Sequence, residues 1–129
     1  MKIEMAKNKI RWEFPVKTSP KILYNYISTP SGLGEWFADD VQVNDGIYSF
    51  MWNGSEQRAK LAHKRENQLV RFNWIDDPEH TFIEMEILTD DITSDMALVV
   101  TDFTEKGDEA ETKRLWESQI HTLHNIIGS

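Results

Sequence analysis

From residue 9 to residue 17 apolar and polar side chains alternate without a break. Ile10, Trp12, Phe14 and Val16 fall on one side, and Lys9, Arg11, Glu13 and Lys17 on the other. A period of two predicts a half-buried strand, and Pro15 on the polar side marks a sheet edge or an irregular spot. The period then changes. In "TSPKILYNYIS" Ser19 suits an N-cap and Pro20 a first helical position, with Ile22, Leu23, Tyr26 and Ile27 recurring at helical spacing. "TPSGLGEWF" repeats the device with Thr29 and Pro30, and Pro30 also stops the first helix. Gly32 and Gly34 weaken this second helix by roughly 1 kcal/mol each, so it is short, with Trp36 and Phe37 as its apolar anchors.

Residues 38–105 return to strand spacing, cut by turn signals. "ADDVQVND" ends at the turn Asn44–Gly46, and "IYSFMWNG" puts Tyr48, Phe50 and Trp52 on one face. "SEQRAKLAHKREN" sets Ala59, Leu61 and His63 against Arg58, Lys60 and Lys64, and "QLVRFNWID" groups Val70, Phe72 and Trp74. After a loop at 76–80, Ile83, Met85 and Ile87 oppose Glu84 and Glu86. "DMALVVTDF" is apolar on both sides in its middle, as a covered strand is. Because of this, alternation leaves two options for Asp102. It shares a face with Leu98 and Val100, while Ala97, Val99 and Phe103 share the other, and either set can be the inward one.

Residues 109–127 read as one long helix closed by Gly128. Trp116, Ile120, Leu123 and Ile127 form its apolar stripe, and Gln119 stands inside that stripe. A buried amide needs a partner, either a neighbouring polar group or a ligand. The order is a strand, two short helices, six strands and one long helix. That predicts an α+β domain in which an antiparallel meander is covered by the last helix.

This order, with "PVKTSPKILYNYISTPSGLGEWFADDV", the "WNG" turn, "LVRFNWID" and "LWESQIHTLHNIIGS", resembles the START-like proteins grouped with the Aha-type activators of a cytosolic heat-shock chaperone ATPase. The resemblance covers residues 9–129. It implies a helix-grip fold: a curved seven-stranded antiparallel sheet around the C-terminal helix, with a cavity between them. It also implies a choice of function, because the superfamily includes lipid carriers, hormone receptors and cyclases. On this reading the cavity is lined by Trp12, Phe14, Trp36, Phe37, Tyr48, Phe50, Trp52, Leu61, His63, Phe72, Trp74, Met85, Leu98, Trp116, Gln119, Ile120 and Leu123.

Composition narrows the choice. The 129 residues fit one domain, 1–129, with residues 1–8 expected as a flexible lead. The net charge of −8 argues against nucleic acid, which is bound by neutralising phosphates. With no cysteine, thiol chemistry and cysteine-ligated metals are excluded. No apolar run suits a signal peptide or a membrane span, so a cytoplasmic protein without membrane insertion is expected.

His121 and His124 lack the remaining ligands of a zinc site, and the doublets Asp39–Asp40, Asp76–Asp77 and Asp90–Asp91 suit turns better than calcium. No metal or cofactor is expected. The leading expectation is a non-catalytic domain with an apolar cavity for a hydrophobic or amphipathic small molecule. The alternative is a protein-interaction module acting on a chaperone or another partner. A third reading, a cyclase- or hydrolase-like enzyme, needs two of His63, Asp102 and Gln119 brought together.

Overall fold

The computed structural model describes residues 7–128. Strands β1 (Lys7–Pro15), β2 (Asp40–Asn44), β3 (Ile47–Trp52), β4 (Ser55–Arg65), β5 (Leu69–Trp74), β6 (Phe82–Thr89) and β7 (Met96–Glu105) form one antiparallel sheet in the order β1-β7-β6-β5-β4-β3-β2. Helices α1 (Pro20–Ser28) and α2 (Pro30–Trp36) follow β1, and α3 (Glu109–Ile127) ends the fold. The expected α+β architecture is therefore present, and the Pro15 strand lies at an edge. β1 starts at Lys7, so residues 7 and 8 of the expected flexible lead are strand; residues 1–6 lie outside the described residues.

Local chemistry accounts for the joints. Asp45–Gly46 and Asn53–Gly54 link β2 to β3 and β3 to β4 as two-residue turns, with φ of 52° and 78° and of 50° and 82°. Positive φ at both central residues matches the strands' right-handed twist. Ser19 Oγ accepts from Ile22 N–H at 3.1 Å, and Thr29 Oγ1 accepts from Gly32 N–H at 3.0 Å, so both predicted caps form. At Gly32 an added Cβ would meet the Asn25 carbonyl oxygen at 2.3 Å, because α2 crosses directly on the backbone of α1. At the far end Gly128 closes α3 in the left-handed region, with φ of 76°.

Cross-strand register determines which side of each strand faces the core. Ile10, Trp12 and Phe14 stand opposite Asp102, Val100 and Leu98. Phe14, Leu98 and Val100 are buried, so this side is the concave one and Asp102 belongs to it. Beyond β7, Val100 pairs with Met85 and Met85 with Val70, which carries the apolar row across the sheet. The opposite side carries Arg71, whose guanidinium forms a 2.7 Å salt bridge to Glu84 and lies 4.0 Å from the Phe82 ring centroid.

One strand breaks the simple alternation. The ladder between β4 and β5 shifts register between Leu61, opposite Phe72, and His63, opposite Arg71. An extra residue in one strand reverses the facing of the residues beyond it. His63 consequently lies with Arg71 on the convex side and is exposed, not beside Ala59 and Leu61 in the core as its position suggested.

Candidate functional site

Two places join α3 to the rest of the molecule, and each is made from side chains that the sequence marked. At the first, Phe37, just past the end of α2, is wedged between helix and sheet. Its ring centroid lies 5.4 Å from Phe50, 5.3 Å from Trp52 and 5.5 Å from Trp116. Phe50 is completely buried, and its ring also meets Phe72 at 5.6 Å and Trp74 at 5.8 Å. Edge-on and offset ring pairs at these separations are favourable beyond the area they bury. Rings thus occupy the space between α3 and strands β3–β5.

Four polar tips around this cluster are directed to backbone carbonyls at helix ends. Trp36 Nε1 donates to Tyr26 O at 2.8 Å and Tyr48 Oη to Ser28 O at 2.8 Å. Trp52 Nε1 and Gln119 Nε2 both donate to Phe37 O, at 2.7 and 2.8 Å. Helix C-terminal carbonyls lack intrahelical donors, so these side chains satisfy groups that burial would otherwise penalise. Gln119 keeps an amide inside an apolar stripe because it ties α3 to the end of α2.

The second junction is different in kind. Trp116 Nε1 donates to Asp102 Oδ2 at 2.8 Å, and the Phe103 backbone N–H donates to Asp102 Oδ1 at 2.7 Å. Burial pushes the Asp102 carboxyl above the usual aspartate range; the two hydrogen bonds and the nearby Lys7 ammonium pull the other way without overcoming it. Close by, Thr104 and Thr112 share a hydroxyl hydrogen bond of 2.8 Å that fastens the end of β7 to the first turns of α3.

Asp102 borders a hollow of about 470 Å³. The β5–β6 ladder ends at Asn73 and Phe82, with one further bond from Trp74 N–H to Thr81 O at 3.2 Å before the connecting loop. The hollow lies beside that loop, and Lys7, Arg58, Trp74, Thr81, Asp102 and Phe103 are among the residues that line it. Asp77 is committed to the loop: its carboxylate accepts from Glu79 N–H, Thr81 N–H and the Thr81 hydroxyl, and these bonds hold it below the usual range. Arg58 is engaged with Asp76 at 3.3 Å. Lys7 favours the charged forms of Asp77 and Asp102 without closing a salt bridge to either.

Two further hollows indent the surface. One of about 860 Å³ lies beside Pro15, Val16, Leu88 and Met96, and one of about 760 Å³ lies along α1 at Tyr24 and Asn25. Apart from His63 and Gln119, every residue expected to line a cavity belongs to the apolar core cluster or packs on it, including Trp12, Leu61, Ile120 and Leu123. Of that set only Trp74 borders any of these hollows. Lys7, Arg58 and Thr81 were not expected as site residues; nothing in strand alternation distinguishes them from ordinary surface positions. His63, Asp102 and Gln119 are not assembled into an acid–base pair: one is exposed on the convex side, and the other two are bonded to Trp116 and to Phe37 O.

Comparisons with known proteins agree with this architecture. Residues 4–129 match the model of the START-like superfamily domain. The solution structure of a Bacteroides fragilis protein is 35% identical, covers 95% of this chain and 93% of its own, and superposes with a TM-score of 0.67. The solution structure of the Aha1 dimer from Colwellia psychrerythraea is 21% identical over 90% of this chain and 92% of its own, with a TM-score of 0.75. A crystal structure from Mesorhizobium loti is 12% identical over 94% and 97%, with a TM-score of 0.73. The comparison with curated protein sequences gives no match.

Proposed function

Because the chain belongs to the START-like superfamily, we propose that it is a non-catalytic binding domain for a small amphipathic molecule, taken up beside the loop that joins β5 to β6, between Trp74 and Asp102. One observation carries this reading. The 470 Å³ hollow combines a half-buried indole with a desolvated carboxyl that is hydrogen-bonded to the covering helix. Its walls are mostly polar and charged, with Trp74, Ile75, Pro78 and Phe103 as the apolar part, so they suit a guest that carries both a polar and an apolar end. The filled space around Phe37 favours this end of the molecule over its centre; a lipid-sized guest at the centre would have to displace that ring.

Titration of the pure protein with fatty acids, sterols and flavonoid-like compounds, followed by amide and indole N–H resonances, tests the reading. Shifts concentrated at Trp74, Thr81 and Asp102 are the expected result. Unmoved resonances at all three across the series would end it.

The same filled interior favours a second reading, a protein-interaction module of the chaperone-activator type. The Colwellia relative is described as a dimer, which makes self-association the first form to examine. Sedimentation of the pure protein and an ATPase assay with a cytosolic heat-shock chaperone check it. A monomer that leaves the ATPase rate unchanged speaks against this second reading.

A further inference from the structure

We infer that the hollow between Trp74 and Asp102 selects an organic cation: an ammonium or guanidinium group bound at the Asp102 carboxylate, carried on a flat apolar body that lies against Trp74. This rests on the binding-domain reading above and specifies the class of ligand.

The lining is unbalanced in charge. Glu56, Asp76, Asp77 and Asp102 contribute four carboxyls against the two cations of Lys7 and Arg58. The carboxyls are not equivalent. Asp77 is spent on its own loop, and Asp76 faces Arg58 at 3.3 Å. Asp102 has acceptor capacity left. A carboxylate offers about four lone-pair positions, and two are taken, by Trp116 Nε1–H and Phe103 N–H. Those two donors also fix its orientation, so a guest does not have to order it.

Burial makes the carboxylate costly to hold without a counter-charge, and a guest cation supplies one. Lys7 favours the charged form of the carboxylate but forms no ion pair with it. An anionic guest would meet the acidic excess, and a neutral one would gain only the indole wall. Trp74 adds to the preference, because the face of an indole attracts cations through its quadrupole.

A matched series tests the class: 3-phenylpropylamine, 3-phenylpropanol and 3-phenylpropionate, each titrated into the full chain and followed at the indole N–H signals of Trp74 and Trp116. The amine is expected to bind roughly tenfold more tightly than the alcohol, the gain of a charge-assisted hydrogen bond, with the propionate weakest. Asp102→Asn, which keeps an acceptor for Trp116, is expected to bring the amine down to the level of the alcohol.

In the native protein the amine's affinity is expected to fall as pH is lowered through the Asp102 titration, because the cation must compete with a proton. Lys7, Glu56, Arg58, Asp76 and Asp77 are the other charged groups lining the hollow, and the alcohol measured over the same pH range serves as the control for them. If the variant fails to fold, this pH comparison decides the matter alone. An alcohol or propionate that binds as tightly as the amine while moving Trp74 would overturn the cation preference and leave the site standing. If none of the three moves Trp74, the inference and the site fall together.

Discussion

The two junctions of α3 use the same indole and behave in opposite ways. On its ring side Trp116 packs against Phe37, within a cluster where Trp36, Tyr48, Trp52 and Gln119 donate to backbone carbonyls. On its N–H side it donates to Asp102, a titratable group beside an open hollow. The first junction is neutral and ring-filled, and burial raises its Tyr48 phenol further above the ordinary tyrosine value. The second can gain or lose a proton and can be reached from outside. A helix fastened once by packing and once by a titratable contact can respond to its surroundings at one contact without loosening at the other.

Deleting the wedge should break the comparison most severely. Phe37→Ala is expected to cost about 3–5 kcal/mol of stability in denaturant unfolding and to leave a dry apolar void that takes up xenon or benzene. If the variant unfolds like the parent, the interior is not held by that ring.

The next largest effect belongs to the carbonyl with two donors. Trp52→Phe and Gln119→Leu each leave Phe37 O one partner and should cost about 0.5–1.5 kcal/mol. Together they orphan it, so the double variant should lose more than the sum of the two; a double-mutant cycle reads the excess directly.

At the titratable junction the expected effect is smaller. Asp102→Asn should stay within about 1 kcal/mol of the parent at neutral pH. The native carboxyl is raised, so the folded state holds its proton more tightly than the unfolded chain does. Folding is therefore opposed progressively as pH climbs from about 4 toward the raised value. Asp77 and Asp90 act with the other sign. Both are held low by hydrogen bonds from their own loops, so what they contribute is present above the ordinary aspartate range and is lost as pH falls through their depressed values. Urea midpoints across the acidic range, compared between the parent and Asp102→Asn, should differ in slope where Asp102 titrates and coincide in shape below it.

Much of this was legible along the chain. Alternation in β1 and helical spacing in α3 are strong signals because each has one buried face, and the Ser19–Pro20 and Thr29–Pro30 caps marked the helix starts. What escaped depended on pairing. β7 is apolar on both sides, so the facing of Asp102 comes only from its place opposite Ile10. The irregularity in β4 carries no glycine or proline to announce it, and it is what turned His63 outward. Phe37 was recognisable as an anchor, but its ring fills the gap between helix and sheet because α2 arrives at an angle no local pattern encodes.

That angle traces back to Gly32, where the neighbouring helix leaves no space for even one methyl group. The two short helices meet atom on atom, so their crossing works as a fixed bracket and not as a hinge. Five residues downstream the bracket delivers an aromatic stopper to its seat. Changing Gly32 to alanine would therefore be felt far from the crossing, as a misaligned stopper and a terminal helix that no longer closes flush.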